Sequence, residues 1–385
     1  MCGRAPRPYT RPALSAAPHI LGQPRALAAL GRALASGHLH HAWILHGPLG
    51  VGKFRAAEAM ARILLDPEAT AAQRAGMEPP RGTPAARMLD AGTHPDLHVI
   101  RKELAAFSDS RELRERKQLN IPLDLLRERM IGGTTGDGRS HGSAVFRTPA
   151  LGHWKAFIVD EAEQMLPDAQ NALLKTLEEP PPRTTIILVT QQEDQLLPTI
   201  RSRCQRVAFG PLDAASMRAW WERAGPPAPP EDRAVLEVFA AGSPGLAALA
   251  AGHGIAGWAR ELSPQFDALE TGRYPAGLSE RIAEITEEYA KSIVDADDGA
   301  SKESANRMAT RLLAQLLGMR IRRGLAAGGG DPARLGRWLG AAETLGEFER
   351  MVRSNANQKL AIANLVAQWA ERTAGGPATA PAHAR

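Results

Sequence analysis

The sequence predicts an α/β fold in which a mostly parallel sheet is followed by helical domains. Three observations lead to this prediction. Short apolar runs alternate with amphipathic helical segments from Ile20 to about Phe209, as they do in domains built on a parallel sheet. A glycine-rich loop at 47–54 lies between the first apolar run and a helical segment. After Gly210 and Pro211 the apolar runs stop, and helical periodicity continues to about residue 372.

Each strand is expected where a short continuous apolar run occurs, because strands buried on both faces of a parallel sheet lose the alternation of polar and apolar residues. The expected strands are Trp43–Leu45, Leu97–Ile100, Ala156–Val159, Ile186–Val189 and Val207–Phe209. Between them lies an irregular insertion at about 66–150 that is rich in Gly, Pro, Arg and Thr. Its glycine-dense part, Gly132 to Gly142, is predicted to be a mobile loop.

Composition shifts divide the chain into further segments. Residues 1–17 contain several arginines and prolines and are predicted to form a disordered basic arm, and residues 373–385 are predicted to form a disordered tail. Between these two segments, three domains are suggested by a Gly-Pro pair at 210–211 and by a weaker boundary near 268–278. Their predicted bounds are 18–210, 211–270 and 271–372.

Bulk composition excludes several classes of protein. A hydrophobic content of 44% and a charged content of 23% are typical of globular proteins, and no apolar run approaches the ~18 residues of a membrane span. The two cysteines, Cys2 and Cys204, exclude a disulfide framework and a four-cysteine zinc site, and no other metal site is predicted. We therefore expect a cytoplasmic protein without a membrane partner. The net charge of +5 permits contact with nucleic acid but does not argue for it.

The glycine-rich loop matches the phosphate-binding pattern G-x-x-x-x-G-K-[ST] at every defined position except the last. Its candidate nucleotide-binding residues are Gly47, Gly50, Gly52 and Lys53. The glycines allow backbone N–H groups to surround phosphates, and the lysine reaches the terminal ones. Phe54 stands where a hydroxyl group normally holds Mg²⁺. The loop therefore predicts a nucleotide-binding fold whose capacity for hydrolysis is doubtful, with a simple Gly-Pro turn as the alternative.

A second motif follows about a hundred residues later. The apolar run Phe157–Val159 ends in Asp160 and Glu161, the pattern of a strand that places an Asp beside Mg²⁺ and a Glu where it can polarise a water molecule. The alternative is that Asp160 caps a helix and Glu161 is a surface charge. Thr190 lies at the polar end of the next predicted strand and is a further candidate nucleotide-binding residue.

The segments Asn171–Pro180 (Asn-Ala-Leu-Leu-Lys-Thr-Leu-Glu-Glu-Pro) and Ile200–Gln205 (Ile-Arg-Ser-Arg-Cys-Gln) carry a more specific signal. Together they resemble the clamp-loader branch of the AAA+ proteins, over roughly 18–250 and more loosely over 270–372. The resemblance implies an AAA+ P-loop domain, a small helical lid domain and a helical collar domain. It also implies that Arg203 projects into the ATP site of a neighbouring subunit. A surface guanidinium paired with a carboxylate is the alternative for Arg203.

The chain departs from the sequence pattern of the family's active ATPase subunits at two places, and these departures indicate its expected function. Phe54 lacks the hydroxyl group, and Gly242–Gly245 contains no arginine where active subunits carry a sensing one early in a helix. The resemblance then implies a subunit that completes a neighbour's ATP site and is not an active ATPase by itself. It requires no cofactor, although weak binding of ATP or ADP is left open. The implied partners are gamma/tau and delta clamp-loader subunits, the sliding clamp and primed DNA.

Two other functions remain open from the sequence. The chain could be an active gamma/tau-like ATPase that coordinates Mg²⁺ through Asp160 and water, with Glu161 in a catalytic role. It could also be an AAA+ adaptor outside replication.

Overall fold

The computed structural model describes residues 20–115, 119–296, 301–327, 331–354 and 357–373. The predicted basic arm and almost all of the predicted tail lie outside these residues. The contacts divide the chain into two units. An α/β unit contains the described residues up to Gly225 together with Gly242–Leu246, and a helical unit contains Pro226–Ala241 and the described residues from Ala247 onward. The finer division into lid and collar domains stays a prediction.

The strands of the α/β unit are β1 Ala42–His46, β2 Leu97–Ile100, β3 Gly133–Thr134, β4 Ser140–His141, β5 Lys155–Val159, β6 Thr184–Thr190 and β7 Gln205–Ala208. Five of them form a parallel sheet at the centre of this unit, in the order β2-β5-β6-β1-β7. A separate antiparallel pair, β3 and β4, lies in the insertion. All five predicted strands are therefore present, and the predicted mostly parallel α/β fold is confirmed.

Helices cover both faces of this sheet. Those of the α/β unit are α1 Pro24–Ala35, α2 Lys53–Leu65, α3 Ala71–Gly76, α4 Pro84–Asp90, α5 Arg111–Glu115, α6 Leu123–Leu126, α7 Pro167–Glu178, α8 Pro198–Arg201 and α9 Ala214–Ala224. Helices α1 and α2 share a core with Leu45 and Ile158, whereas α6 and α7 share one with Ile44 and Phe157. Because strands are buried from both sides, their sequences read as continuous apolar runs.

The insertion is more ordered than its sequence suggests. The glycine-dense segment predicted to be a mobile loop contains the β3–β4 hairpin. The Lys155 ammonium donates hydrogen bonds to the carbonyl oxygens of Ala144 and Val145, at 2.9 and 2.8 Å. The Asp96 carboxylate accepts from the backbone N–H groups of Ala150 and Leu151, at 2.7 and 3.0 Å. These buried charged side chains attach the end of the insertion to the sheet.

The remaining helices are α10 Pro230–Ala240, α11 Pro244–Gly252, α12 Ile255–Glu270, α13 Leu278–Ala296, α14 Lys302–Ala326, α15 Pro332–Arg353 and α16 Gln358–Thr373. In the helical unit, the wide apolar stripe of α14 is buried, including Leu312, Leu316 and Ile321. Trp369 of α16 is fully buried edge-on to Phe266 of α12, with ring centroids 5.3 Å apart. Within the described residues, no helix has the length and apolar character needed to cross a membrane.

Candidate nucleotide site and candidate arginine finger

The predicted nucleotide-binding residues meet at one edge of the sheet. The P-loop (Gly47–Lys53) follows β1, Asp160 and Glu161 follow β5, and Thr190 ends β6. Since these strands are parallel, their carboxyl ends lie at the same edge. Open α/β sheets bind ligands in the crevice outside this edge. The structure therefore brings together the residues that the sequence had singled out separately.

The P-loop has the backbone that its glycines allow. Gly47, Gly50 and Gly52 have φ values of 134°, 75° and 104°, and α2 begins at Lys53. A side chain at position 47 would place its Cβ only 2.0 Å from the carbonyl oxygen of Phe209, the residue that follows β7. Lys53 is 5% exposed, and its Nζ donates to the carbonyl oxygens of Gly47 and Pro48 at 2.6 and 2.5 Å. Its ammonium thus contacts the loop itself.

A second segment packs directly on this loop. The backbone N–H of Gly245 donates to the carbonyl oxygen of Gly50 at 2.9 Å, and the Ser243 hydroxyl donates to the carbonyl oxygen of Leu49 at 2.6 Å. A Cβ on Gly245 would lie 2.7 Å from Gly50 Cα. Real Cβ atoms do not approach backbone so closely. The segment Gly242–Gly245 therefore leaves no space for any side chain at 245.

The two carboxylates after β5 face cations from the neighbouring strand. Asp160 is 1% exposed, and its Oδ2 lies 3.6 Å from Nε of Arg101. Oε2 of Glu161 lies 2.7 Å from Nζ of Lys102. Both cationic residues directly follow β2, which pairs with β5 in the sheet. Each candidate carboxylate is thus already matched by a positive side chain.

These surroundings do not fit a Mg²⁺ ion. Magnesium takes oxygen ligands in octahedral geometry, and a P-loop normally supplies one from a hydroxyl group. Here Phe54 supplies an aromatic ring, and the Arg101 guanidinium carbon lies 4.4 Å from its centroid. The same guanidinium faces Asp160. The arrangement disfavours an ATPase that holds Mg²⁺ through Asp160.

Thr190 and Gln23 complete the edge of the site. Thr190 is 1% exposed, pairs in register with His46 of β1, and its hydroxyl accepts from the backbone N–H of Gln192 at 3.1 Å. The Gln23 amide donates to the carbonyl oxygens of Val51 and Gly210, at 3.1 and 2.7 Å. Gln23 thus joins the P-loop to the chain after β7.

Arg203 lies at the opposite edge of the sheet, where the parallel strands begin. It stands between α8 and the first residue of β7. Its Nη2 is 2.7 Å from Oε1 of Glu178 at the end of α7, and its Nη1 donates to the carbonyl oxygen of Thr199 at 3.0 Å. The four residues of β7 separate it from the P-loop edge by about 13 Å, at roughly 3.3 Å per residue. The side chain is 35% exposed. Burial raises the pKa of the adjacent Cys204 thiol to about 12, which disfavours the reactive thiolate form.

Comparison with known proteins adds family membership to this geometry. Residues 22–213 match the family model described as DNA polymerase III, delta subunit. The chain is 35% identical over 215 residues to the DNA polymerase III subunit delta' of Pseudomonas aeruginosa, covering 56% of this chain and 57% of the relative. Through residues 22–213 the chain belongs to the DNA polymerase III clamp-loader family.

Other DNA polymerase III subunits also match about half of the chain. The delta' subunit of Bacillus subtilis is 30% identical over 190 residues, which cover 49% of this chain and 48% of that protein. The gamma/tau subunit of Mycobacterium tuberculosis is 30% identical over 203 residues, which cover 52% of this chain and 29% of that protein. The chain thus spans about half the length of the delta' relatives it matches.

Sequence reasoning missed Arg101 and Lys102 as members of the candidate nucleotide site. Both directly follow the predicted strand Leu97–Ile100. In a parallel sheet, residues that follow strands lie at the ligand edge, so their position was a usable signal. Sequence alone does not show that this strand is next to the one ending in Asp160.

Proposed function

We propose that this chain is a delta-prime-like subunit of the DNA polymerase III clamp loader, which helps to load the sliding clamp onto primed DNA. In this proposal it donates Arg203 as an arginine finger to the ATP site of a neighbouring subunit. The observation that carries the proposal is the position of Arg203, on the surface and at the sheet edge opposite the chain's own P-loop. From there the guanidinium cannot serve its own P-loop but is accessible to another chain.

The contact with Glu178 is compatible with this role. Glu178 is 49% exposed, so the ion pair is screened by water and contributes only about 0–1 kcal/mol. A γ-phosphate offers a stronger, charge-assisted partner for the guanidinium. An arginine supplied across an interface neutralises charge that develops on the transferring phosphoryl group and accelerates hydrolysis by ~10³–10⁵. Moving the Arg203 guanidinium from Glu178 to a γ-phosphate would therefore cost little free energy.

The chain's own P-loop is proposed to have lost ATPase activity. Phe54 supplies no hydroxyl group, the two carboxylates are matched by Arg101 and Lys102, and Gly242–Gly245 contains no arginine where active subunits would carry a sensing one. No cofactor is required in this proposal, and any ATP or ADP would bind weakly. Glu161 is then a vestige of the catalytic pattern.

The proposed partners follow from membership of the family. They are gamma/tau and delta clamp-loader subunits and the sliding clamp, with primed DNA contacted through the assembled complex in the cytoplasm. Reconstitution tests this directly. A complex made with gamma/tau and delta subunits should load the clamp only when this chain is present, while the isolated chain should not hydrolyse ATP.

Two results would contradict the proposal. If the isolated chain hydrolyses ATP and Lys53→Ala abolishes that activity, the chain is an active gamma/tau-like ATPase. If the chain does not assemble with gamma/tau and delta subunits, an AAA+ adaptor outside replication becomes the better assignment.

A further inference from the structure

We propose that the Arg101 guanidinium permanently replaces the divalent cation of the P-loop site. The inference concerns the isolated chain and does not depend on its role in clamp loading. Arg101 follows β2, and β2 pairs with β5, which ends in Asp160. The guanidinium thereby reaches the carboxylate that would otherwise hold the metal ion, with Nε 3.6 Å from Oδ2.

Phe54 provides a surface on which Arg101 packs. Its ring lies 4.4 Å from the Arg101 guanidinium carbon, within the ~6 Å range of a cation–π contact. The residue that removes the metal's hydroxyl ligand therefore provides a face on which the replacement cation packs. In the sequence, Phe54 and Arg101 are unrelated departures 47 positions apart, but in the structure they form one unit with Asp160.

The charges of the cluster balance without a metal ion. Asp160 is 1% exposed, and a buried carboxylate is costly unless a cation or hydrogen bonds compensate it. Arg101 faces Asp160, and Lys102 pairs with Glu161 at 2.7 Å. Two fixed positive charges thus match two negative charges, as one Mg²⁺ ion would. An arginine is always protonated and cannot dissociate, so this compensation does not depend on a bound nucleotide.

The ligand class that follows is a nucleoside polyphosphate free of metal. A guanidinium binds phosphate oxygens through its own N–H donors, so a phosphate entering the P-loop can meet Arg101 directly. A metal-bound nucleotide would bring two further positive charges next to Arg101 and Lys102. We therefore infer that Mg²⁺ does not strengthen nucleotide binding by this chain.

The test is a titration of the full chain with a fluorescent ADP analogue, in excess Mg²⁺ and separately in EDTA. The wild-type chain should bind the analogue in both buffers, with dissociation constants that agree within about twofold. Phe54→Thr combined with Arg101→Ala restores the hydroxyl group and removes the replacement cation. Mg²⁺ should tighten binding by this double variant about tenfold or more, and adding Asp160→Asn should abolish that effect.

Arg55→Ala is the matched control, because it removes one positive charge from the first turn of α2 without altering Arg101 or Asp160. It should behave as the wild type does. The proposal is overturned if the wild-type chain binds the analogue in neither buffer, or if Mg²⁺ tightens wild-type binding about tenfold. It is also overturned if the folded double variant gains no dependence on Mg²⁺. If the double variant does not fold, Arg101→Ala alone decides. Mg²⁺ should then raise its unfolding temperature but not that of Arg55→Ala, and equal responses would overturn the proposal.

Discussion

Replacing Gly245 with alanine would place a methyl group where the P-loop backbone already lies. The new Cβ would be 2.7 Å from Gly50 Cα and 3.0 Å from the Gly50 carbonyl oxygen. Carbon atoms in favourable contact are about 3.5–4.0 Å apart, so the two segments would have to separate by about 1 Å. Neither obstacle is a flexible side chain that could rotate away. We therefore expect Gly245→Ala to destabilise the α/β unit.

The size of this effect follows from three contributions. Inserting a methyl group into a packed region costs about 1–3 kcal/mol. The hydrogen bond from Gly245 N–H to the Gly50 carbonyl oxygen, now 2.9 Å long, contributes about 0.5–1.5 kcal/mol that would be lost. Alanine stabilises a helix relative to glycine by about 0.5–1 kcal/mol. The expected net loss is therefore about 2 kcal/mol, within a range of roughly 0.5–4.

Urea unfolding followed by circular dichroism measures this loss. A 2 kcal/mol decrease lowers the midpoint by about 1 M with an unchanged slope, for a slope near 2 kcal/mol per M. Gly252→Ala in the same helix, α11, is the matched control, because a Cβ there meets nothing within 4 Å. It should leave the midpoint unchanged or raise it slightly. If Gly245→Ala is as stable as this control, the packing of Gly245 on the P-loop is refuted.

Two further predictions concern buried polar groups of the α/β unit. Lys155→Met removes the ammonium that donates to carbonyl groups of the insertion, so residues 132–151 should be cleaved faster in limited proteolysis, with a stability loss of about 2 kcal/mol. The exposed control Lys175→Met should change neither. Burial lowers the pKa of His98, which stacks on Phe157 at 4.5 Å. Its folded-state pKa lies below the unfolded-state value of about 6.5. The unfolded state therefore binds more protons, and the free energy of unfolding falls as the pH drops below about 6.5. His98→Gln should make that fall shallower in urea unfolding between about pH 7 and pH 5, and an unchanged pH dependence would exclude His98 as its source.

The sheet was predictable because buried parallel strands leave a direct mark on the sequence. Leu97–Ile100 is observed with the predicted bounds, and the observed β5 extends Ala156–Val159 by only Lys155. The P-loop was predictable for a similar reason, since its glycines have positive φ values that other residues rarely adopt. Both features depend on local chemistry.

Features that depend on contacts distant in sequence were not predictable. The contact of Arg101 with Phe54 and Asp160 requires the order of strands in the sheet, which the motifs do not encode. The contact of Gly245 with Gly50 joins positions 195 residues apart. In the sequence these two glycines are typical of flexible turns. In the structure, the absence of a side chain is what allows the two backbones to touch.

Glycine content was misleading in the insertion. The segment Gly132–Gly142 contains five glycines, which favoured a mobile loop. The structure closes it with a backbone hydrogen bond from Thr135 N–H to the Arg139 carbonyl oxygen at 2.9 Å and one from the Thr135 hydroxyl to Asp137 Oδ1 at 2.6 Å. A threonine and an aspartate at the turn thus specify a hairpin that composition alone did not indicate.

Single-turnover ATP hydrolysis by the reconstituted clamp loader is the most direct test of the arginine finger. Arg203→Ala should assemble as the wild type does, while hydrolysis at the adjoining ATP site slows by ~10³–10⁵, so that the fast phase loses the amplitude of that site. Arg206→Ala, a 54% exposed arginine three residues later, should retain the full fast phase. A complex carrying Arg203→Ala that keeps both the rate and the amplitude of the wild type would contradict a finger donated from this chain.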